Sequence, residues 1–289
     1  MLRFSQEGTE PMEDQARQAR EAAGQSTVEL LRQRLQKHTP SLMHLADTLA
    51  TATDHDVPVL LSGETGTGKT MLARLIHEHS ARRSHPFVVV ACGACSPNLL
   101  ESEFFGHVRG AFTGAAQARD GRFAAAGEGT LLLDEVDTLP LERQASLLRI
   151  VETGEFEQVG SNETRLCRAR IIAASNWSLE DAVETGKFRR DLYYRLSTLS
   201  LHLPPLRERV RDIAPLAALF AAQFSARYSK RIVRIHADAI DLLEAFPWPG
   251  NIRQLENAVH QAVAMCAGSE ILAEHLPASI AASRHGLRA

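Results

Sequence analysis

No apolar run in this 289-residue chain approaches the ~18 residues that a membrane-spanning helix needs; Pro215 to Phe224 comes nearest and is far too short. The opening residues, MLRFSQEGTEPMED, lack the apolar core of a secretory signal and carry acids early. A cytoplasmic protein with no membrane contact is therefore expected. Cysteine is scarce, at four residues, which suits a reducing compartment; a chain this long buries enough core to need no disulfide or metal staple. Cys92 and Cys95 have CxxC spacing, but no second pair answers them, and the twelve histidines show no ligand spacing. Buried thiols are expected there rather than a metal or redox centre. The formal net charge is only −3, so the molecule as a whole makes no case for binding nucleic acid. There is no internal repeat and no low-complexity segment.

What remains, 44% hydrophobic and 23% charged, is an ordinary globular composition. The length suits one large domain, or a large one with a small one. Residues 1–38 are polar. From Glu13 to Gln36 the chain is rich in Ala, Gln, Glu and Arg with a thin apolar stripe, which predicts an exposed or partly frayed lead-in. The core is expected to begin near Thr39. Strands are predicted at Val57–Ser62, Phe87–Ala91, Thr130–Leu133, Arg170–Ala174 and Leu199–Leu203. Helices are predicted at Met71–Ser80 and at Leu141–Glu152, the latter with Leu147, Leu148 and Val151 inward. Alternation of this kind, with continuously apolar strands, implies an α/β fold: a parallel sheet sandwiched by helices over residues 39–205. After Pro204 and Pro205 only helical patterning appears, at Arg209–Arg227, Ala237–Phe246 and Asn251–Cys266, with no strand between. Residues 206–277 therefore read as a small helical lid domain, and 278–289 as a tail.

The stretch GETGTGKT follows the first strand and opens a helix, the context that a phosphate-binding loop requires. Its residues are Gly63, Glu64, Thr65, Gly66, Thr67, Gly68, Lys69 and Thr70. The glycines permit tight turns whose N–H groups face phosphate oxygens. Lys69 reaches the outer phosphates, and the Thr70 hydroxyl is offered to Mg²⁺. LLLDEV at 131–136 supplies the other half. Asp134, at the end of a buried strand, is costly unless it serves an ion, and is assigned to Mg²⁺, through water. Glu135 is then placed to orient or deprotonate the attacking water. ATP and Mg²⁺ are the expected cofactors of an ATPase.

From about residue 40 to 277 the chain resembles the AAA+ domain of bacterial sigma-54-dependent transcription activators, the NtrC-like enhancer-binding proteins. GETGTGKT, ESEFFGH at 101–107, GAFTGA at 110–115, GRF at 121–123, GTLLLDEV at 129–136, FRRDLYYRL at 188–196, LPPLRER at 203–209 and FPWPGNIRQLEN at 246–257 carry the resemblance in order. The fold it implies is the AAA+ P-loop NTPase with a lid. In that family the GAFTGA loop, here Gly110, Ala111, Phe112, Thr113, Gly114 and Ala115, extends in certain nucleotide states and presses on sigma-54, with Phe112 and Thr113 carrying the contact. Taken alone, the loop would be a flexible surface hairpin, yet a large aromatic at its tip makes sense if it docks on a partner. Arg189 and Arg195 match the family's two arginine fingers, which reach a neighbouring subunit's γ-phosphate. Six residues apart on a helix is about 600° of rotation, so the two do not share a face; without the resemblance, each reads as a surface ion pair. Ser175 and Asn176 match the first sensor and Arg253 the second. Asn251 is read as an N-cap of the following helix. The resemblance implies self-association into a ring, a hexamer by family expectation, acting on sigma-54 RNA polymerase holoenzyme.

Three departures stand out. The family's asparagine before Cys-Ala-Ala, which holds the catalytic glutamate, is here Ala91, so gating is expected to be altered. The arginine that often precedes Val159 is Gln158. Relatives continue into a helix-turn-helix, but nothing after Ser269 looks like one. The chain is thus expected either to be trimmed or to act without its own DNA-binding domain. The leading function is an ATP-hydrolysing activator that remodels the sigma-54 closed complex. Two others are weighed: a weakly hydrolysing, nucleotide-gated subunit of a mixed ring, to which Ala91 and the absent helix-turn-helix give weight, and a AAA+ motor acting on nucleic acid, against which the lack of a basic stripe and the complete GAFTGA argue.

Overall fold

The computed structural model describes residues 27–93 and 97–282. Most of the polar lead-in, Cys95 and the end of the tail lie outside the described residues. Residues 27–38 form helix α1, and Leu31 and Leu35 on it are buried in the core. The core therefore starts before Thr39. Two leucines one turn apart suffice to dock a helix whose apolar stripe is otherwise thin. A 3₁₀ turn, Pro40–Leu45, and α2, Ala46–Asp54, lead to the sheet.

The first domain runs β1 (Val59–Ser62), α3 (Lys69–His79), β2 (Phe87–Ala91), α4 (Pro97–Phe105), β3 (Gly106–His107), β4 (Arg119–Asp120), α5 (Arg122–Ala126) and β5 (Thr130–Asp134). It continues through α6 (Leu141–Thr153), β6 (Glu155–Glu157), β7 (Thr164–Leu166), β8 (Arg170–Ser175), α7 (Leu179–Glu184), α8 (Arg190–Leu196) and β9 (Leu199–His202). Five strands form one parallel sheet in the order β2-β5-β8-β1-β9. The expected sandwich is visible in β5. Leu131 and Leu133 enter the core on one face, Leu132 that on the other, and all three are fully buried. Alternating side chains must both be apolar when helices cover both faces. On α6 the inward residues are Gln144, Leu147 and Ile150, while Leu148 and Val151 are only partly buried.

The lid comprises α9 (Val210–Arg227), β10 (Arg234–Ile235), α10 (Ala237–Ala245), α11 (Asn251–Met265), β11 (Glu270–Ile271) and α12 (Ala278–Ala281). It has its own core around Trp248, which is fully buried and donates its indole N–H to the Leu243 carbonyl at 2.7 Å. The expectation of no strand here is corrected. Arg234 and Ile235 pair in parallel with Glu270 and Ile271. A two-residue ladder is too short to leave a period-2 signal. No helix among the described residues is long and apolar enough to cross a membrane.

Candidate active site

Residues 63–68 connect β1 to α3 at the carboxyl end of the sheet. Gly66 (φ +81°) and Gly68 (φ +106°) hold left-handed backbone that a Cβ would strain. Gly66 is constrained further, because a Cβ there would lie 2.5 Å from the Gly250 carbonyl of the lid. A cleft of about 180 Å³ lies above the loop, lined by Thr65, Gly66, Gly68, Lys69, Thr70, Asp134, Glu135, Asn176 and Arg253. Met71, Ile252 and Glu256 also line it and were not foreseen from sequence. Gly63, Glu64 and Thr67, expected among the nucleotide contacts, do not line it. Thr67 is buried and donates its hydroxyl to the Glu64 carbonyl at 2.8 Å, while the Glu64 carboxylate turns toward the lid. These residues shape the loop rather than face a ligand.

Lys69 opens α3, where first-turn N–H groups have no partner within the helix and favour an anion. Its ammonium donates to the carbonyls of Gly63 (2.6 Å) and Glu64 (3.0 Å) and to Asn176 Oδ1 (2.8 Å). Burial pushes its pKa below the ordinary lysine value, opposed by the charges of Asp134, Asp137 and Glu135. Asn176 is itself held through its backbone N–H, which donates to Asp137 Oδ1 at 3.0 Å. Asp137 was missed; the only sequence signal was one more carboxylate beyond Asp134. Ser175 instead closes a local turn, exchanging hydrogen bonds with the backbone of Trp177.

Asp134 Oδ2 lies 3.4 Å from the Thr70 hydroxyl, and Oδ1 accepts the Glu135 N–H at 3.0 Å. These oxygens fit a hard cation that keeps water and phosphate ligands. Among the described residues no cluster of three or more His, Cys, Asp or Glu forms a closed metal cage. Glu135 adopts φ +58°, ψ +41°, a strained conformation for a residue with a side chain. The turn is fixed by the Thr138 N–H (2.9 Å) and hydroxyl (2.7 Å), both donating to its carbonyl. Among the described residues no donor reaches the Glu135 carboxylate. It packs over Gly93, where a Cβ would sit 2.8 Å from Oε2. Ala91, in register with Asp134, offers it nothing polar.

Arg189 and Arg195 do not reach this cleft. Arg189 is the residue before α8 rather than part of it, and its guanidinium pairs with Asp191 at 2.8 Å. Its backbone N–H is pinned by the buried Gln144 side chain at 2.8 Å. Arg195 pairs with Glu152 at 2.9 Å. Asn251 is not an N-cap: Gly250 holds that place, and Asn251, at φ +51°, turns its side chain to the phosphate loop. Its Oδ1 accepts the Leu206 N–H at 2.7 Å, and its Nδ2 donates to the Thr65 carbonyl at 3.0 Å.

The 110–115 element is folded rather than extended. Gly110 N–H donates to the Ala115 carbonyl (2.9 Å) and Ala115 N–H to the Phe112 carbonyl (3.0 Å). The Phe112 ring lies edge-on to His107 at 5.0 Å and stays 41% exposed, and Thr113 is exposed. Ala115, expected among the partner contacts, is buried at 6%; its backbone closes the loop. The base of the element pairs with the β6–β7 loop, Val108 N–H donating to the Val159 carbonyl at 3.1 Å. Gln158 donates to Asp120 Oδ1 at 3.2 Å, and Arg165 brings a charge to the same atom at 2.8 Å. Arg165 on β7 and Asp120 on β4 thus form a charged contact beside Gln158, outside the 110–115 element itself.

A parallel sheet in this order, a glycine loop opening α3, an Asp-Glu strand end and a helical lid over the loop define a AAA+ ATPase fold. Residues 35–202 match the family described as the sigma-54 interaction domain, and residues 207–288 the AAA+ ATPase lid domain. The chain belongs to this sigma-54 interaction family. Regulatory protein AtoC of Escherichia coli (strain K12) is 47% identical over 243 residues, 84% of this chain and 53% of that one. Nitric oxide reductase transcription regulator NorR1 of Cupriavidus necator is 48% identical over 225 residues, 78% of this chain and 43% of that one. The chain thus spans about half the length of the curated relatives it matches. Solved with ATP, NtrX of Brucella abortus superposes with TM-score 0.73 at 32% identity, covering 82% of this chain and 55% of that one. Hsp104, at 16% identity and TM-score 0.63, shares the fold alone.

Proposed function

We propose that this chain is the ATP-hydrolysing motor of a sigma-54-dependent transcription activator. ATP lies along residues 65–70 with its outer phosphates toward Lys69. Thr70, and Asp134 through water, would hold Mg²⁺, which would supply positive charge against the outer phosphates. Glu135 orients and deprotonates the attacking water; the water oxygen bonds to the γ-phosphorus, the bond to the β–γ bridging oxygen breaks, and ADP leaves. Asn176 and Arg253 read the nucleotide. Arg189 and Arg195 leave their surface carboxylates to complete the site of the next subunit in a ring, a hexamer by family expectation. Gly110 to Ala115 press on sigma-54 in the polymerase holoenzyme, and hydrolysis drives promoter opening.

The observation that carries the coupling is the seat of the Glu135 carboxylate against Gly93. Gly93 follows β2 and opens the segment that leads through α4 to the 110–115 loop. A glutamate that moves with the state of the γ-phosphate therefore pushes on the base of that segment.

A second reading, a weakly hydrolysing subunit of a mixed ring, draws on Ala91, which has no polar group to offer Glu135. Steady-state ATP hydrolysis against protein concentration separates the two. Turnover per subunit that rises cooperatively supports the motor. Flat, near-background turnover supports the mixed-ring subunit. Hydrolysis stimulated by DNA in the absence of sigma-54 would contradict both.

A further inference from the structure

The phosphate loop is held from the lid side, one residue after another. The Glu64 carboxylate takes both terminal nitrogens of Arg207, at 2.9 and 2.7 Å, and Asn251 Nδ2 at 3.1 Å. The Thr65 carbonyl accepts from Asn251 Nδ2 at 3.0 Å, and the Gly66 carbonyl from the Ile252 N–H at 2.9 Å. The Thr67 carbonyl accepts from Arg209 Nη2 at 3.0 Å. In a planar trans peptide the next N–H points opposite to the carbonyl. Pinning the carbonyls of Thr65 and Thr67 to the lid therefore aims the N–H groups of Gly66 and Gly68, which line the cleft, away from those lid groups.

Arg209 is the buried member of this set. It is 1% exposed, and its Nη1 lies 3.7 Å from Oδ2 of the fully buried Asp212. Asp212 is anchored by the Ser41 backbone N–H, which donates to Oδ1 at 2.9 Å. Among the described residues, Arg209 Nε and Nη1 and Asp212 Oδ2 have no hydrogen-bond partner. A buried pair so loosely engaged is a poor device for stability, and apolar side chains of similar volume would stabilise a core at least as well. Among the described residues the Arg209 guanidinium makes one hydrogen bond, and it goes to the phosphate loop, while the bond from Ser41 anchors Asp212.

We propose that Arg209 is a positioning residue that sets the phosphate loop for nucleotide, with Asp212 holding Arg209 in place. The inference rests on reading the cleft as the ATP site. Arg209 touches no nucleotide atom in this account; it acts through the Thr67 carbonyl. Loss of one charge-assisted hydrogen bond to the loop corresponds to about tenfold in affinity.

The test is calorimetric titration of MgADP into the full chain, with kcat and KM for ATP and a melting curve. The double variant Arg209→Met/Asp212→Leu replaces the buried pair by apolar groups. It is expected to melt at or above the wild type, to bind MgADP about tenfold more weakly, to raise KM in proportion and to leave kcat within about twofold. Arg209→Lys keeps the charge beside Asp212 but loses the forked donor, and is expected to weaken MgADP severalfold even where the double variant does not fold. Arg170→Met removes another buried arginine whose two terminal nitrogens lack partners among the described residues, at the opposite end of the strands. It is expected to leave MgADP affinity unchanged. Wild-type affinity in the double variant or in Arg209→Lys overturns the inference, as does an equal loss in Arg170→Met. No MgADP binding by the wild type overturns the ATP-site reading and this inference with it.

Discussion

The Lys69 ammonium and the Asn176 side-chain oxygen lie 2.8 Å apart, joining the start of α3 to the residue after β8. One group is fixed by burial and loop carbonyls, the other by Asp137. The pair therefore presents a charge and a dipole together at the cleft. Lys69→Met is expected to weaken MgATP and MgADP by at least about tenfold. Asn176→Ala is expected to lower kcat about tenfold or more while MgADP affinity moves less than about twofold, on the proposal that the amide serves the γ-phosphate end. Equilibrium titration with steady-state turnover checks both. Equal losses in binding and turnover for Asn176→Ala would contradict the assignment.

Among the described residues no donor reaches the Glu135 carboxylate, and its backbone is held in a strained turn. Glu135→Gln is expected to keep nucleotide binding and lower kcat about a hundredfold or more. Ala91→Asn adds a side-chain amide beside it and is expected to lower basal turnover severalfold and make it responsive to sigma-54. Unchanged turnover and unchanged response in Ala91→Asn would remove Ala91 from the account of gating.

Arg189 and Arg195 rest in exposed ion pairs of little energetic weight. Alanine at either position is expected to leave the melting temperature within a few degrees of wild type and to reduce turnover about a thousandfold. A shared site predicts more. Mixing the Lys69→Met and Arg195→Ala variants should give more activity than the sum of the two alone, since some junctions regain both groups. Activity equal to the sum would mean that each site is complete within one chain.

Glu64 is held low, at about 2, chiefly by its hydrogen bonds with Arg207, then with Asn251. A folded-state pKa below the free value of 4.5 gives stability that is present above pH 4.5 and is lost as pH falls toward 2. The carboxylate is 42% exposed, so solvent screening keeps this to roughly 1 kcal/mol or less. The melting-temperature gap between wild type and Glu64→Gln should be constant above pH 5 and shrink below it. A gap that widens on acidification would show that Glu64 is not held as a carboxylate.

Much of the sheet and the cleft was legible because buried parallel strands read as apolar runs and a phosphate loop needs its glycines where the chain turns. Leu131, Leu132 and Leu133, and Lys69, Thr70, Asp134 and Glu135, fall where those rules put them. The lid contacts were not legible. Asn251 follows a turn and precedes a helix, which locally is the pattern of a cap. Only the tertiary approach of residues 64–67 makes it a clamp. Arg209 likewise resembles any charge in LPPLRER until its burial is known. Ala115 was grouped with its exposed neighbours because a motif carries no accessibility. The β10–β11 ladder and the docking of Leu31 and Leu35 depend on partners distant in sequence.

Promoter opening by sigma-54 RNA polymerase with ATP, comparing wild type with Phe112→Ala, tests the central claim that hydrolysis at Glu135 is spent through the 110–115 loop. The Phe112 ring is half-exposed and its removal leaves the cleft intact. The account predicts that the variant hydrolyses ATP within about twofold of wild type and opens no promoter, since the aromatic anchor of the contact is gone. Normal opening by Phe112→Ala, at normal ATP turnover, would contradict it.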